Sequence, residues 1–290
     1  MSKESIKISI IMATYNSEKT IEQALNSILS QIYKNIELII VDGASTDGTI
    51  AILEKYSNKL KFISEPDRGL YDALNKGVNM ASGDYVEIIG SDDALVDEQV
   101  ISTVVKKIEQ CNYCDIISGK EWGIVESCSM QYILDNYHAR NIEAYNGGMV
   151  PHGAMFVKRN VFEKYHFDIN YKIAADYKFF LQCYYDRSIS IEYIDDFILF
   201  FATDGLSSNN DELLEENRRI YGELGLSFNT ENDKINNPAR YYFKHMLKKI
   251  GMFKALKKII ESIRFHNNKR YHWIRHRCNN PYCRWCKQNK

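Results

Sequence analysis

Residues 84–94 read D-Y-V-E-I-I-G-S-D-D-A and push an apolar run into two adjacent carboxylates, Asp92 and Asp93. Neighbouring carboxylates repel each other unless positive charge sits close by. A divalent cation carrying phosphates would supply it, because Mg2+ and Mn2+ are held by few carboxylates together with phosphate oxygens. Val86, Ile88 and Ile89 predict a buried strand that stops at Gly90. The pair then stands at the carboxyl end of a strand, where open α/β sheets place their ligands. For an isolated Asp-Asp pair a solvated turn or a helix cap is the simpler reading; the elements around this pair argue against it.

The chain before the pair has to build the rim on which it stands. Residues 7–13, K-I-S-I-I-M-A, predict a central strand that ends in Thr14, Tyr15 and Asn16. Ser17 is placed to cap a helix over 18–31, with Ile21, Ala24, Leu25 and Ile28 on one face. A second apolar run over 36–41 delivers Asp42 into D-G-A-S-T-D-G-T, where Gly43 and Gly48 permit tight turns and Asp47 can cap the next helix. A short strand over 61–64 empties into E-P-D-R-G, and a helical pattern covers 70–81. This alternation predicts an α/β fold with a mostly parallel central sheet covered by helices. Neither G-x-G-x-x-G nor G-K-[ST] follows the first strand, which argues against a dinucleotide-binding unit and against a P-loop. Thr14, Asp42 and Asp92-Asp93 line one rim, an arrangement suited to a nucleotide.

Further along, a helix is expected over 97–110 and a strand over 115–118, after which the pattern is irregular to residue 146. A strand returns over 148–158 around Pro151 and His152. A helix over 174–185 turns Tyr177, Phe180, Leu181 and Tyr184 inward, a strand covers 190–201, and a helix over 211–224 closes the body. Residues 229–238 are polar and read as a linker.

Hydrophobic residues make up 45% of the chain and charged residues 26%, the balance of a soluble globular protein. No apolar run approaches the roughly 18–20 residues needed to cross a bilayer. Residues 1–7 carry no signal-peptide core, so a cytoplasmic location is expected. The net charge of −1 hides an asymmetry: residues 240–290 hold fifteen Lys or Arg against one acid, Glu261. Within this tail Tyr242, Met246, Ile250, Phe253, Leu256, Ile260 and Ile263 recur at helical spacing, while Lys244, Lys248, Lys254, Lys257, Lys258 and Arg264 fill the other side. Such a basic amphipathic helix suits an anionic membrane surface. A helix packed back on the body is its structural alternative. Seven cysteines, an odd count, favour reduced thiols. Cys111 and Cys114 read as a helix-to-strand junction. Cys278, Cys283 and Cys286 lie near His272 and His276, but their irregular spacing favours a reduced tail end over a zinc site.

Five ordered pieces, I-S-I-I-M-A-T-Y-N, I-I-V-D-G-A-S-T-D-G-T, S-E-P-D-R-G-L-Y-D-A-L-N-K-G, G-D-Y-V-E-I-I-G-S-D-D and A-A-D-Y, resemble the inverting glycosyltransferases of family two, which have the nucleotide-sugar-binding GT-A fold. The resemblance covers about residues 6–226 and is by type to bacterial capsule, O-antigen and other surface-polysaccharide enzymes. It implies a GT-A domain over 1–228, with a nucleotide-sugar half over 6–117 and an acceptor half over 118–228, followed by the basic tail over 229–290. It implies that Thr14 and Asn16 lie beside the nucleotide and that Asp42 bonds the base or ribose. Asp93 would hold Mg2+ or Mn2+ at the diphosphate, with Asp92 nearer the ribose or sugar, and Arg68 and Asn75 would approach the donor. Asp176 matches the catalytic base; read alone, it is an acid near a helix N-terminus. His152 matches a recurring histidine that contacts donor or acceptor; read alone, it is a satisfied structural residue.

The activity implied is metal-dependent, inverting transfer, as a hexosyltransferase, from a nucleotide sugar, a UDP-sugar first, to a hydroxyl of a lipid-linked or growing saccharide. Because such acceptors are often polyprenyl-linked, the tail's expected partner is the inner face of the cell membrane and not nucleic acid. Transfer to polyprenyl phosphate itself, and a non-catalytic nucleotide-sugar-binding module, are the alternatives.

Overall fold

The computed structural model describes residues 5–125, 130–134, 149–202, 210–228 and 274–275. In order these form β1 (Ile8–Thr14), α1 (Ile21–Leu29), β2 (Ile36–Asp42), α2 (Thr49–Lys55), β3 (Lys61–Ser64), α3 (Leu70–Met80) and β4 (Tyr85–Ile88). There follow β5 (Ala94–Leu95), α4 (Val100–Gln110), β6 (Ile116–Val125), β7 (Met130–Leu134), a 3-10 turn (His152–Ala154), β8 (Met155–Lys158), α5 (Val161–Lys164), α6 (Ala175–Tyr185), β9 (Ile191–Ala202), α7 (Asn210–Glu223) and β10 (Ile274–Arg275).

One sheet runs in the order β10-β7-β6-β8-β4-β1-β2-β3, with β9 added against β6 and β5. The expectation of a mostly parallel sheet holds for its first half, where β3, β2, β1 and β4 are parallel. In the second half β8 pairs antiparallel with both β4 and β6, and of the pairings there only β6 with β9 is parallel. The sheet is therefore mixed. Its central strands are covered on both faces, which is why β1 reads as a continuous apolar run. Ile8, Ile10 and Met12 point into a core with Ile21, Leu25 and Ile28 of α1 and Val100, Val104 and Ile108 of α4. Ile11 points the other way, against Leu74 and Val78 of α3 and a core that includes Phe179 and Phe180 of α6. Gly77 lets α3 lie directly on β1, since a Cβ there would come within 2.4 Å of Ile11 Cγ2.

Several expectations shift. Residue 17 does not open α1; its carbonyl accepts the Thr20 and Ile21 N–H groups, both at 3.0 Å, and the helix begins at Ile21. The region expected to be irregular carries β6 on to Val125, then β7. Gly119 conceals this in the sequence: it sits where β6 shifts register against β9, and a Cβ there would lie 2.3 Å from Ile198 Cγ1. The expectation of reduced thiols fails for one pair, since Cys111 and Cys114 form a disulfide. Asn112 and Tyr113 are both left-handed, with φ of 55° and 62°, and this tight turn after α4 brings the two Cα atoms to 5.6 Å. The amphipathic stretch over 241–265 and Cys278, Cys283 and Cys286 lie outside the described residues; of the tail, Ile274–Arg275 pairs antiparallel with Met130 and Gln131.

Glu37 ties together the strand ends opposite the rim. It is buried, accepts hydrogen bonds from Ser9 Oγ, Ser82 and Gly83 N, and pairs with Lys7 Nζ at 3.1 Å and Lys61 Nζ at 3.2 Å. Burial opposes its ionisation, but the hydrogen bonds from Ser9, Ser82 and Lys7 outweigh that and hold its pKa down to about 2. A carboxylate depressed in the folded state stabilises above its unfolded value, here 4.5, and that stability is lost as pH falls toward 2. Glu37→Gln should cost about 2–3 kcal/mol at neutral pH. Urea unfolding across the acid range checks this: wild type should lose stability between pH 4.5 and 2, and the variant much less.

Candidate active site

β1 and β2 end side by side, Thr14 opposite Asp42, and β4 ends one strand over, with Ile88 opposite Ile11. The rim inferred from the strand order is present. Asp42 is fully buried, and its carboxylate accepts from Ser45 N at 2.8 Å, from the Ser45 hydroxyl, and from Ser64 Oγ at 2.7 Å. It thereby shapes the turn after β2, in which Ala44 is left-handed at φ 62°. Asn16, also left-handed at φ 50°, donates its N–H to Ser45 Oγ at 2.8 Å and accepts the Thr46 N–H at 2.9 Å. Ser17 Oγ lies 2.9 Å from Ser91 Oγ, which joins this loop to the one carrying the carboxylate pair. Thr14 Oγ1 is buried with no hydrogen-bond partner among the described residues.

The helix α3 divides the two residues expected near a donor. Arg68, largely exposed, is held by Asp72 at 2.8 Å. Asn75 turns inward instead: Nδ2 donates to Phe167 O at 2.8 Å and Oδ1 accepts Phe167 N at 3.2 Å, so its amide clamps the segment before α6.

Asp92 and Asp93 fold back over Gly90. A Cβ at Gly90 would stand 2.6 Å from Asp93 Oδ2 and 2.9 Å from Asp92 Oδ1, so only glycine leaves room for both. Asp93 is buried; Oδ1 accepts Ala202 N at 2.9 Å and Oδ2 accepts Gly90 N at 3.2 Å. Asp92 is half-buried. Among the described residues no group of three or more His, Cys, Asp or Glu could enclose a metal. Two adjacent carboxylates with a partly open face nevertheless fit Mg2+ or Mn2+, which complete their shell with phosphate oxygens and water. Glu121 on β6 lies close enough to feel the Asp93 charge. Burial first, and then Asp93, push its pKa up to about 8, while Gly153 and Ala154 N–H groups oppose the rise. The raised pKa reduces the negative charge that Glu121 adds beside the pair.

Through Gly153 and Ala154 the same glutamic acid connects to the 3-10 turn that carries His152. His152 is half-buried, its Nε2 is enclosed with no hydrogen-bond partner among the described residues, and desolvation lowers its pKa against a smaller opposing pull from Asp176. Asp176 sits in the first turn of α6, half-buried, where Oδ1 accepts Tyr71 Oη at 2.9 Å and Tyr177 N at 2.9 Å. Tyr71 Oη also lies 2.6 Å from Ile173 O. Burial, then the Asp176 charge, raise the Tyr71 pKa far above its ordinary value, so it remains a phenol donor. Asp93, Glu121, the His152 turn and Asp176 are thus linked by successive neighbouring interactions beside the rim.

The profile of glycosyl transferase family 2 matches residues 9–166, more than half of the chain. The chain belongs to glycosyl transferase family 2. Among curated relatives it is 30% identical over 189 residues to the glycosyltransferase GlyA of Streptococcus pneumoniae, an alignment covering 59% of this chain and 27% of GlyA. The chain thus spans about a quarter of that relative's length. Among solved structures, Staphylococcus aureus TarS residues 1–349 in complex with UDP-GlcNAc superposes with a TM-score of 0.55 at 22% identity, over 69% of this chain and 59% of the other. The mannosyltransferase PcManGT of Pyrobaculum calidifontis, in complex with GDP-Man and Mn2+, superposes with a TM-score of 0.58 at 18% identity, over 77% and 65%. The fold of this family 2 chain is accordingly GT-A-like.

Residues that sequence reading passed over hold much of the site. Tyr71 lies inside the R-G-L-Y-D motif and could have been found there. Ser45, Ser64 and Ser91 carry no signal beyond their place at strand ends. Glu121 interrupts what should have been an apolar strand, and that interruption is the signal it gives.

Proposed function

We propose that this chain is an inverting, metal-dependent glycosyltransferase, a hexosyltransferase that moves a sugar from a nucleotide-sugar donor to a hydroxyl of a lipid-linked or growing saccharide in surface-polysaccharide biosynthesis. The observation that carries the reading is Asp176, gripped by Tyr71 and within electrostatic reach of His152, whose turn is joined through Glu121 to Asp93. Asp176 takes the proton of the acceptor hydroxyl as that oxygen attacks the anomeric carbon from the face opposite the diphosphate. The bond from anomeric carbon to phosphate oxygen breaks, and the nucleoside diphosphate leaves with its electron pair, so configuration inverts. Asp93 would hold a divalent cation, which would supply positive charge to offset that gathering on this leaving group.

The chain's own residues bind and orient. An ionised carboxylate has about four acceptor positions, and Asp42 uses three, which leaves one for the base or ribose. Thr14 Oγ1 and Asn16 stand beside the nucleotide, Asp92 nearer the sugar, and Arg68 keeps guanidinium donors for phosphate. Asn75 serves by fixing the approach to α6, and His152 contacts donor or acceptor through its ring. That TarS and PcManGT were captured with nucleotide sugars, the latter with Mn2+, supports the donor class and the cation. Screening UDP- and GDP-sugars with purified protein and Mn2+ for release of nucleoside diphosphate tests the reading; no turnover of any donor, with nucleotide bound unchanged, would leave a binding module.

The tail is proposed to hold the enzyme at the inner membrane face, since no helix among the described residues is long and apolar enough to cross it. Truncation after Asn237 should abolish binding to vesicles containing anionic lipid, each Lys or Arg near the headgroups contributing about 1 kcal/mol. Donor turnover with a short soluble acceptor should stay within about threefold, because among the described residues the truncation removes only the two-residue β10 pairing from the sheet. Unchanged vesicle sedimentation by the truncated protein would place the membrane contact in the body.

A further inference from the structure

The helix α7 lies beyond the segment matched by the family profile, yet one of its side chains reaches into the site. Glu216 is nine-tenths buried, and its carboxylate accepts three successive backbone N–H groups: Lys172 at 2.7 Å, Ile173 at 3.0 Å and Ala174 at 2.8 Å. These are the residues that lead into α6, whose own N-cap position, Ala174, offers no side-chain hydrogen bond. A glutamate from another helix thus does what an N-cap side chain ordinarily does, satisfying N–H groups that have no helical partner.

The peptide joining Ile173 to Ala174 is held at both ends. Its N–H donates to Glu216 Oε2, and its carbonyl lies 2.6 Å from Tyr71 Oη. Tyr71 Oη in turn is 2.9 Å from Asp176 Oδ1. With one hydroxyl proton to share, Tyr71 bonds Asp176 according to where the Ile173 carbonyl is aimed, and Glu216 aims it. A second contact from α7, Arg219 Nη2 to Asn170 O at 2.9 Å, steadies the same loop but does not touch this peptide. We propose that Glu216 is a positioning residue for Asp176, acting through the 172–174 backbone and Tyr71 to set the carboxylate for proton abstraction from the acceptor. This rests on the reading of Asp176 as base, and the experiment keeps the two apart.

Glu216→Gln places an amide N–H2 where a carboxylate oxygen accepted, so at least one of the three bonds is lost while side-chain volume is kept. With the nucleotide sugar that turns over in the screen above, the expected result is a kcat at least tenfold lower, with the Kd for the released nucleoside diphosphate plus Mn2+ within twofold of wild type. In an Asp176→Asn background the same change should lower kcat by less than twofold, because nothing remains to be positioned. Glu216→Asp, which keeps the charge but shortens the reach, should fall between wild type and Glu216→Gln and serves if the latter does not fold. Glu215→Gln, exposed on the same helix, is the control and should match wild type. Additive loss in the Asp176→Asn background, a parallel loss of nucleotide affinity, or full kcat in a folded Glu216 variant overturns the proposal. If Asp176→Asn alone keeps full activity, the base assignment has failed, and that single variant reports it without reference to Glu216.

Discussion

Asp176→Asn should lower turnover on a hydroxyl acceptor by roughly a hundredfold or more while leaving the fold and nucleotide binding intact. The amide keeps the shape of the carboxylate and can still accept from Tyr71 Oη and Tyr177 N through its oxygen, contacts now made at 2.9 Å each. What it loses is the capacity to take a proton. A hundredfold corresponds to about 2.7 kcal/mol of barrier, well above what the loss of one partly exposed surface contact produces. Stopped-time assays of acceptor glycosylation, run beside nucleotide titrations and thermal unfolding, measure all three quantities. Unchanged turnover with lowered thermal stability would make Asp176 a helix-start acid and nothing more. Retained turnover on a polyprenyl phosphate acceptor alone would move the assignment to that substrate, since an ionised phosphate needs no base.

The nucleotide side of the fold was legible because its signals are local. In β1, β2 and β4 both faces are covered, so the strands appear as largely apolar runs, and β1 and β2 end at Thr14 and Asp42, polar residues that land on the rim. β3 was expected over 61–64 and is found at Lys61–Ser64. The second half was less legible because its pairing is long-range. β6 contains Gly119, Lys120, Glu121 and Gly123, which break any apolar pattern, and it is made a strand by β9 along one side and by β8 and then β7 along the other. Helix starts also moved, as at α1, because backbone carbonyls and not the expected side chain receive the first N–H groups.

In the site, residue type located the carboxylates but not their partners. Asp42 was expected to face the nucleotide, and the structure adds that Ser45 and Ser64 hold most of its acceptor capacity. Asn75 was grouped with Arg68 by proximity in sequence, yet Arg68 precedes α3 and is exposed, while Asn75 lies within the helix and its amide is taken by Phe167. Glu216 could not be read as a site element at all, and Glu121 announced itself only as a break in an apolar pattern. Each works by gripping backbone N–H groups tens of residues away in the chain, and no spacing rule connects a buried acid to a distant loop.

Asp93→Ala should reduce turnover by at least about a hundredfold, and excess chelator should bring wild type to the same level. Two effects have to be separated, because Asp93 is both the expected cation ligand and the acceptor for Ala202 N and Gly90 N. Leaving two backbone N–H groups without an acceptor costs about 1–3 kcal/mol each, so the variant should also unfold earlier in urea. Asp93→Asn divides these effects: its carbonyl can keep one of the two N–H groups satisfied, restoring part of the stability, while a neutral amide remains a poor ligand for a hard divalent ion. Calorimetry of nucleoside diphosphate with and without Mn2+ then gives the decisive difference. Wild type should bind nucleotide more tightly when Mn2+ is present, and neither variant should respond to it. Gly90→Ala offers an independent route to the same end, since its methyl group would displace both carboxylates without altering either. Full turnover by wild type in excess chelator would remove the cation from the reaction and return Asp92 and Asp93 to the task of holding Gly90 and the end of β9 in place.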